Sequence, residues 1–245
     1  MRRFFIDPND VTETKATITG DEAHHISDVL RLKPGTVIEL FDGNGKIYQA
    51  QIEQISKGRI ENSIISKNNH SVASHHLAIG VALLTGKKMD LIVQKATELG
   101  ITSIHPYISR HCSVKDRNPN KEERWQRIAL EACKQCNRPT VPECKPTTDF
   151  STLLGDKNNS TKLIFWEKEL SHTIADTFPA NTTLPTSTIA MFGPEGGYSE
   201  EEIAQAVAAG FTPVSMGSRI LRAETAVISG IAILQYLLGN LNPAD

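Results

Sequence analysis

Ile189-Ala190-Met191-Phe192-Gly193-Pro194-Glu195-Gly196-Gly197-Tyr198-Ser199-Glu200-Glu201-Glu202 passes from an unbroken apolar run through a glycine-rich turn to a helix start. An apolar run without alternation is what a strand buried on both faces of a parallel sheet requires. Ser199 followed by Glu202 is a capping box, so a helix opens there and runs to Gly210. The same texture extends outward on both sides. Leu77 to Leu84 is a second continuous apolar run. Lys88 to Leu99 has helical spacing at Leu91, Ile92, Lys95, Ala96 and Leu99, with Gly100 at the C-cap position. Ile101–Ile108 and Leu163–Trp166 read as strands, and Trp125–Cys136 as an amphipathic helix. Downstream, strand Phe211–Val214 leads to a last helix over about Glu224–Leu238. Strands alternating with helices of this length predict an α/β unit around a mainly parallel sheet.

The first 70 residues differ. Val37–Phe41 is followed by the doubled hairpin-turn signal Asp42-Gly43-Asn44-Gly45, then by loosely alternating residues to Ile55 and a third strand at Arg59–Ile65. Asp21–Leu30 reads as a short helix with Ala23, Ile26, Val29 and Leu30 on one stripe, ending in the basic turn Arg31–Gly35. Ser66–Ser71 is polar and reads as a linker. The expected division is a small, mostly β domain at 1–70 and an α/β domain at 75–245.

The chain has 245 residues, 39% hydrophobic and 22% charged, which is ordinary globular composition and argues against disordered, collagenous or disulfide-scaffold classes. Net charge is -2, yet residues 76–150 carry 12 Lys/Arg against 8 Asp/Glu between two acidic flanks. A positive middle suggests a localised anionic partner. The N-terminus lacks the apolar run of a signal peptide. Ala226–Leu238 is shorter than the roughly 20 residues a membrane span needs and reads as a buried helix. With no export signal, Cys112, Cys133, Cys136 and Cys144 read as reduced thiols. Cys133-x-x-Cys136 has no second pair, and the pairs His24-His25 and His75-His76 lack completing ligands, so no metal is expected.

Two loops carry the chemistry. Gly193-Pro194-Glu195-Gly196-Gly197 follows a strand, where ligands of α/β sheets bind and glycine lets them approach main-chain amides. It lacks the spacing of a dinucleotide or phosphate loop, and its carboxylate suits a neutral or cationic ligand. Met216 to Ala226 joins the strand Phe211–Val214 to the apolar last helix. Its Arg222 sits at a helix start, where a cation opposes the dipole, so contact with an anionic substrate is the reason it invites.

The first loop, together with Gly217-Ser218-Arg219-Ile220-Leu221-Arg222-Ala223-Glu224-Thr225-Ala226, resembles the paired signature of the RsmE family. Gly86-Lys87-Lys88-Met89-Asp90, Gln94–Gly100, Glu131–Arg138, His25–Arg31 and Phe41-Asp42-Gly43 are similar to further segments of that family, so the likeness runs the length of the chain in order. Two departures are Ala223, where threonine is usual, and Lys134, where glutamate is common.

The resemblance implies S-adenosyl-L-methionine-dependent methylation of N3 of one uridine in 16S ribosomal RNA. It implies a PUA-like RNA-binding β-barrel ahead of a SPOUT-type domain with a trefoil knot, in a cytoplasmic homodimer. Cofactor binding would fall to Trp166, Phe192, Gly193, Pro194, Glu195, Gly196, Gly197, Met216, Gly217, Ile220, Leu221, Arg222 and Thr225. For catalysis, Arg222 would stabilise a uracil anion, with Arg138 of the other subunit as a second donor. Glu195 or Glu224 would take the N3 proton or orient Arg222. RNA would be held by Arg2, Arg3, Arg31 and Lys33 in the first domain, and by Lys87, Lys88 and Arg138 near the catalytic face. The alternatives are a SPOUT methyltransferase acting on another ribosomal or transfer RNA nucleotide, and a non-catalytic RNA-binding assembly factor.

Overall fold

Asp42 turns one strand into the next through its side chain: Oδ1 accepts from the amides of Asn44 (2.8 Å) and Lys46 (3.0 Å). That hairpin is the centre of the first of two units in the computed structural model, which describes residues 1–69, 75–155, 159–179 and 183–241. The first unit comprises 1–72 with 133–141, the second 73–132 with 142–245.

The first unit contains β1 (Arg3–Phe5), β2 (Lys15–Thr19), α1 (Gly20–His24), β3 (Val37–Phe41), β4 (Lys46–Ser56) and β5 (Arg59–Asn69). Its sheet runs β1-β3-β4-β5-β2, with β1 parallel to β3 and the other pairs antiparallel. Register shifts at Gln49/Ala50 and Ile52/Gln54 bend the long hairpin, which is how a sheet curls toward a barrel. Phe4, Ile18, Ile26, Ile38, Leu40, Ile52 and Ile60 fill the core.

Two expectations fail in this unit. The predicted Asp21–Leu30 helix is not regular: after α1 the chain widens into a π turn over His25–Val29, closed by Leu30 N to His25 O at 2.9 Å. The wider turn rotates the apolar stripe, so Ala23 and Ile26 are buried while Val29 is 62% exposed. The linker expected at Ser66–Ser71 is also displaced. Ser66–Asn69 extend β5 and pair with Lys46–Gln49, because backbone pairing to a long partner strand outweighs polar composition. Ser71 lies outside the described residues.

The second unit is built from β6 (His76–Ala82), α2 (Lys88–Glu98), β7 (Ser103–Ile108), α3 (Pro119–Cys136, its last turn assigned to the first unit), β8 (Glu143–Cys144), β9 (Thr148–Asp149) and α4 (Phe150–Leu154). β10 (Thr161–Phe165), α5 (Ile174–Thr177), β11 (Ser187–Phe192), α6 (Glu200–Ala208), β12 (Thr212–Val214) and α7 (Ala223–Leu237) follow. Sheet order is β12-β10-β11-β6-β7-β8, with β9 also on β7, and every pair is parallel. The capping box forms as expected, Ser199 Oγ accepting from Glu202 N and Glu202 Oε2 from Ser199 N. α3 starts at Pro119, not Trp125: Asn118 Oδ1 accepts from Asn120 N and proline suits a first turn.

α7 packs on α2 and β11. A Cβ on Gly230 would lie 2.7 Å from the Phe192 ring and 3.3 Å from Phe165, two rings stacked at 4.4 Å. Only glycine lets the helix come this close to the strands beneath it. No helix among the described residues is long and apolar enough to cross a membrane. All four cysteines are free, and burial pushes the Cys133 and Cys144 thiols up to about 12.

Candidate functional site

β10, β11 and β12 are neighbours in the sheet, so the segments leaving their carboxyl ends converge. They line a common cleft that is open to solvent, placed at the strand carboxyl ends where ligands of α/β sheets bind. From β10 come Phe165, Trp166 and Glu167; from the β11 loop Phe192, Gly193, Pro194, Gly197 and Tyr198. Past β12, Met216, Gly217, Arg219 and Leu221 close it, with Ala223 and Ala226 of α7. The two loops singled out in the sequence therefore share one cavity. Trp166 carries its orphan donor: Nε1 is buried and has no hydrogen-bond partner. A buried N–H left unpaired is costly, so the wall awaits an acceptor.

The β11 loop is held from several sides. Gly197 N donates to Pro194 O (3.0 Å), and His111 Nδ1 donates to Gly197 O (3.1 Å). Gly197 has φ +69°, and a Cβ there would lie 2.6 Å from Glu167 Oε1. Behind it, Tyr107 OH donates to Phe192 O (2.8 Å) and meets the Tyr198 hydroxyl at 2.5 Å. Burial raises both phenol pKa values well above the ordinary value, keeping them protonated donors. Tyr198 and Glu167 were not singled out from sequence. Their adjacency to Gly197 and Trp166 is the signal that could have found them.

Glu195 does not line this cleft. Its Oε1 accepts from Thr85 N (3.1 Å), Thr85 Oγ1 (2.9 Å) and Lys88 Nζ (3.0 Å). Desolvation works against its charge, but the Lys88 ammonium, its own amide and both Thr85 donors prevail and pull the carboxyl down to about 2. Lys88 Nζ also lies 3.8 Å from Glu224 Oε2, a buried oxygen without a hydrogen-bond partner. Lys88, expected on RNA, thus sits between the two candidate catalytic carboxylates. Arg222 is the N-cap of α7, its carbonyl accepting from Ala226 N at 2.8 Å; its side chain is exposed and has no ion pair or hydrogen bond among the described residues, and the same holds for the Arg219 side chain. Gly196, Ile220, Arg222 and Thr225, expected on the cofactor, lie outside the cleft lining, as does Glu224, and Ile220 is 88% exposed.

The expected RNA contacts divide. Arg2, Arg31, Lys33 and Lys87 are exposed, Arg31 with the unusual φ of +50°. Arg3 is turned inward: its side chain is 5% exposed, over the Phe41 ring at 4.6 Å and 3.4 Å from Glu39. Burial lowers its pKa against the pull of Glu39. Arg138 is half-buried, with Nε donating to Thr140 Oγ1 at 3.2 Å, and burial lowers its pKa too. The departing Lys134 pairs with Glu22.

A family described as RNA methyltransferase domain matches residues 72–235, and one described as RNA methyltransferase PUA domain matches 18–65. The ribosomal RNA small subunit methyltransferase E of Buchnera aphidicola subsp. Schizaphis graminum is 32% identical, with 98% of this chain and 96% of that protein covered. Its Synechocystis counterpart is 32% identical over 96% of this chain and 78% of its own length. The crystal structure of a ribosomal RNA small subunit methyltransferase E from Neisseria gonorrhoeae bound to S-adenosyl methionine superposes with a TM-score of 0.84, at 34% identity, covering 97% of this chain and 98% of that one. The glycine-lined cleft, the PUA-type first unit and relatives of this similarity along nearly the whole chain agree, and the chain belongs to the ribosomal RNA small subunit methyltransferase E family.

Proposed function

We propose that the chain methylates N3 of one uridine in 16S ribosomal RNA of the small subunit, using S-adenosyl-L-methionine, in the cytoplasm. The observation that carries this reading is the cleft itself: glycine-lined, apolar-walled, with an unpaired Trp166 Nε1 and no phosphate-loop spacing. These residues fit the cofactor. Trp166 Nε1 and the main chain of Phe192–Gly193 and Met216–Gly217 would hold its polar groups, and Phe165 and Leu221 would exclude water. The Glu167 carboxylate favours a cationic ligand. When bound, the cofactor supplies an electrophilic methyl group.

The remaining chemistry belongs to the chain. Uracil N3 carries a proton at neutral pH, so the site must bind the uracil anion better than the neutral base. Arg222 suits this, because a guanidinium is a permanent planar donor able to face charge spread over O2 and O4. Between the two carboxylates, Glu224 is the proton acceptor and Glu195 the anchor. Glu195, at about 2 and already holding three donors, is a feeble base. Glu224 keeps one buried oxygen free of hydrogen bonds. Glu224 takes the N3 proton and Arg222 faces the charge left on the uracil, so that N3 is ready to receive the methyl group that the cofactor would supply.

The 1–70 domain, with Arg2, Arg31 and Lys33 exposed, would hold RNA. A second copy would cover the apolar side chains Ile233 and Tyr236, 41% and 68% exposed, with the knot completing the cleft. Labelled methyl transfer to purified small subunits, followed by nucleoside mass spectrometry, tests the reading. Label in 3-methyluridine is expected; label in another nucleoside overturns it.

A further inference from the structure

We propose that a second pocket, at the carboxyl end of β6, is a subsite for an unstacked nucleotide of the substrate RNA beside the one that is methylated. The proposal rests on the methyltransferase reading above and adds to it where the neighbouring stretch of RNA is held.

Position comes first. β6 is the sheet neighbour of β11, and Val81 stands opposite Phe192. Leu83–Leu84 and Gly193–Pro194 therefore leave the sheet side by side, from strands about 4.8 Å apart. An RNA strand that presents one base to the cleft has its neighbour within reach of this pocket.

The lining matches a nucleotide in both its parts. The floor is apolar, lined by Leu83, Leu84, Met89 and Trp125. The rim carries three cations, Lys87, Lys121 and Arg124, against one carboxylate, Asp90. Arg124 donates to Asp90 at 2.5 Å and Lys121 stands 3.7 Å from Asp116, while the Lys87 side chain has no partner among the described residues. A bare anion would have no use for the floor, and an apolar ligand none for the rim. A base with its phosphate uses both, the combination by which proteins hold splayed-out single-stranded RNA. The adjacent lysines divide the work: Lys88 is engaged by Glu195 and Glu224, and Lys87 is left to the pocket.

Two variants leave the cofactor cleft untouched. Val114→Trp fills the pocket from the segment between β7 and α3, and Lys121→Glu reverses one rim charge. With small ribosomal subunits and labelled cofactor, each is expected to lower kcat/KM for the RNA about tenfold while cofactor Kd stays within about twofold. Lys121→Glu should also flatten the dependence of log K on log salt. A second readout needs no activity: fluorescence anisotropy with a short labelled oligouridylate, whose affinity should fall about tenfold in Val114→Trp. Variants that melt with the wild type yet keep its kcat/KM and its oligouridylate affinity overturn the subsite. A wild type that binds the oligonucleotide through this pocket but methylates no small-subunit RNA overturns the functional reading and leaves the subsite standing.

Discussion

The two loops of the cleft are built in opposite ways. Pro194–Gly197 is tied to Thr85, Lys88 and His111 by side-chain and main-chain bonds, and its glycine is wedged against Glu167. Met216–Arg222 is held near its ends, by Gly217 N to Ser215 Oγ and Ala226 N to Arg222 O, and presents Arg219, Ile220 and Arg222 to solvent. A cradle for a small ligand gains from being formed in advance, because no ordering entropy is lost on binding. A surface that must meet a large RNA gains from unpaired charge held outward. Under the proposed function the tied loop would serve the cofactor alone, while the open loop would lend the cofactor Met216, Gly217 and Leu221 and turn its exposed tip to RNA.

Arg222→Ala probes that division most strongly. Turnover should fall about 10²–10³-fold, the usual loss for one donor to a developing anion, with cofactor Kd unchanged. Parallel losses in both would erase the contrast. Gly230→Val, beneath both loops, should lower stability by about 1–3 kcal/mol in denaturant titration, since its side chain meets the Phe192 ring. Gly197→Ala places a Cβ against Glu167 at positive φ; calorimetry should show cofactor affinity down about tenfold with less change in RNA binding.

Glu195→Gln should cost at most about 1 kcal/mol at neutral pH, because the pair is partly exposed. The sign follows from the lowered pKa: the wild-type advantage is full above the ordinary carboxylate range and is lost as pH falls from there toward about 2. Melting curves of both proteins between pH 7 and 3 should converge on acidification, and a constant gap would deny the Lys88 tie. Ile220→Ala, at the tip of the open loop, should move stability by less than about 0.5 kcal/mol.

Much of this arrangement is legible in local sequence. Ser199 and Glu202 announce a helix, the run Ile189–Phe192 a buried strand, and both loops fall where parallel sheets bind ligands. What was hidden depends on partners distant in the chain. Nothing near Glu195 says that Thr85 and Lys88 will claim its carboxylate, nor does Arg3 reveal that Phe41 and Glu39 will take it inside. The π turn at His25–Val29 escapes periodicity because it changes the period itself. Ser66–Asn69 mislead because strand pairing uses backbone groups that every residue owns.

The residues lining the cleft all fall between Phe165 and Ala226. A ribosome that has passed Ile108 but not reached Phe165 has made β6 and β7 and no residue of this cleft. β6 must wait for β11, more than a hundred codons later, before its second edge is covered. A product cut short before α7 would lack Ala223 and Ala226 from the cleft wall.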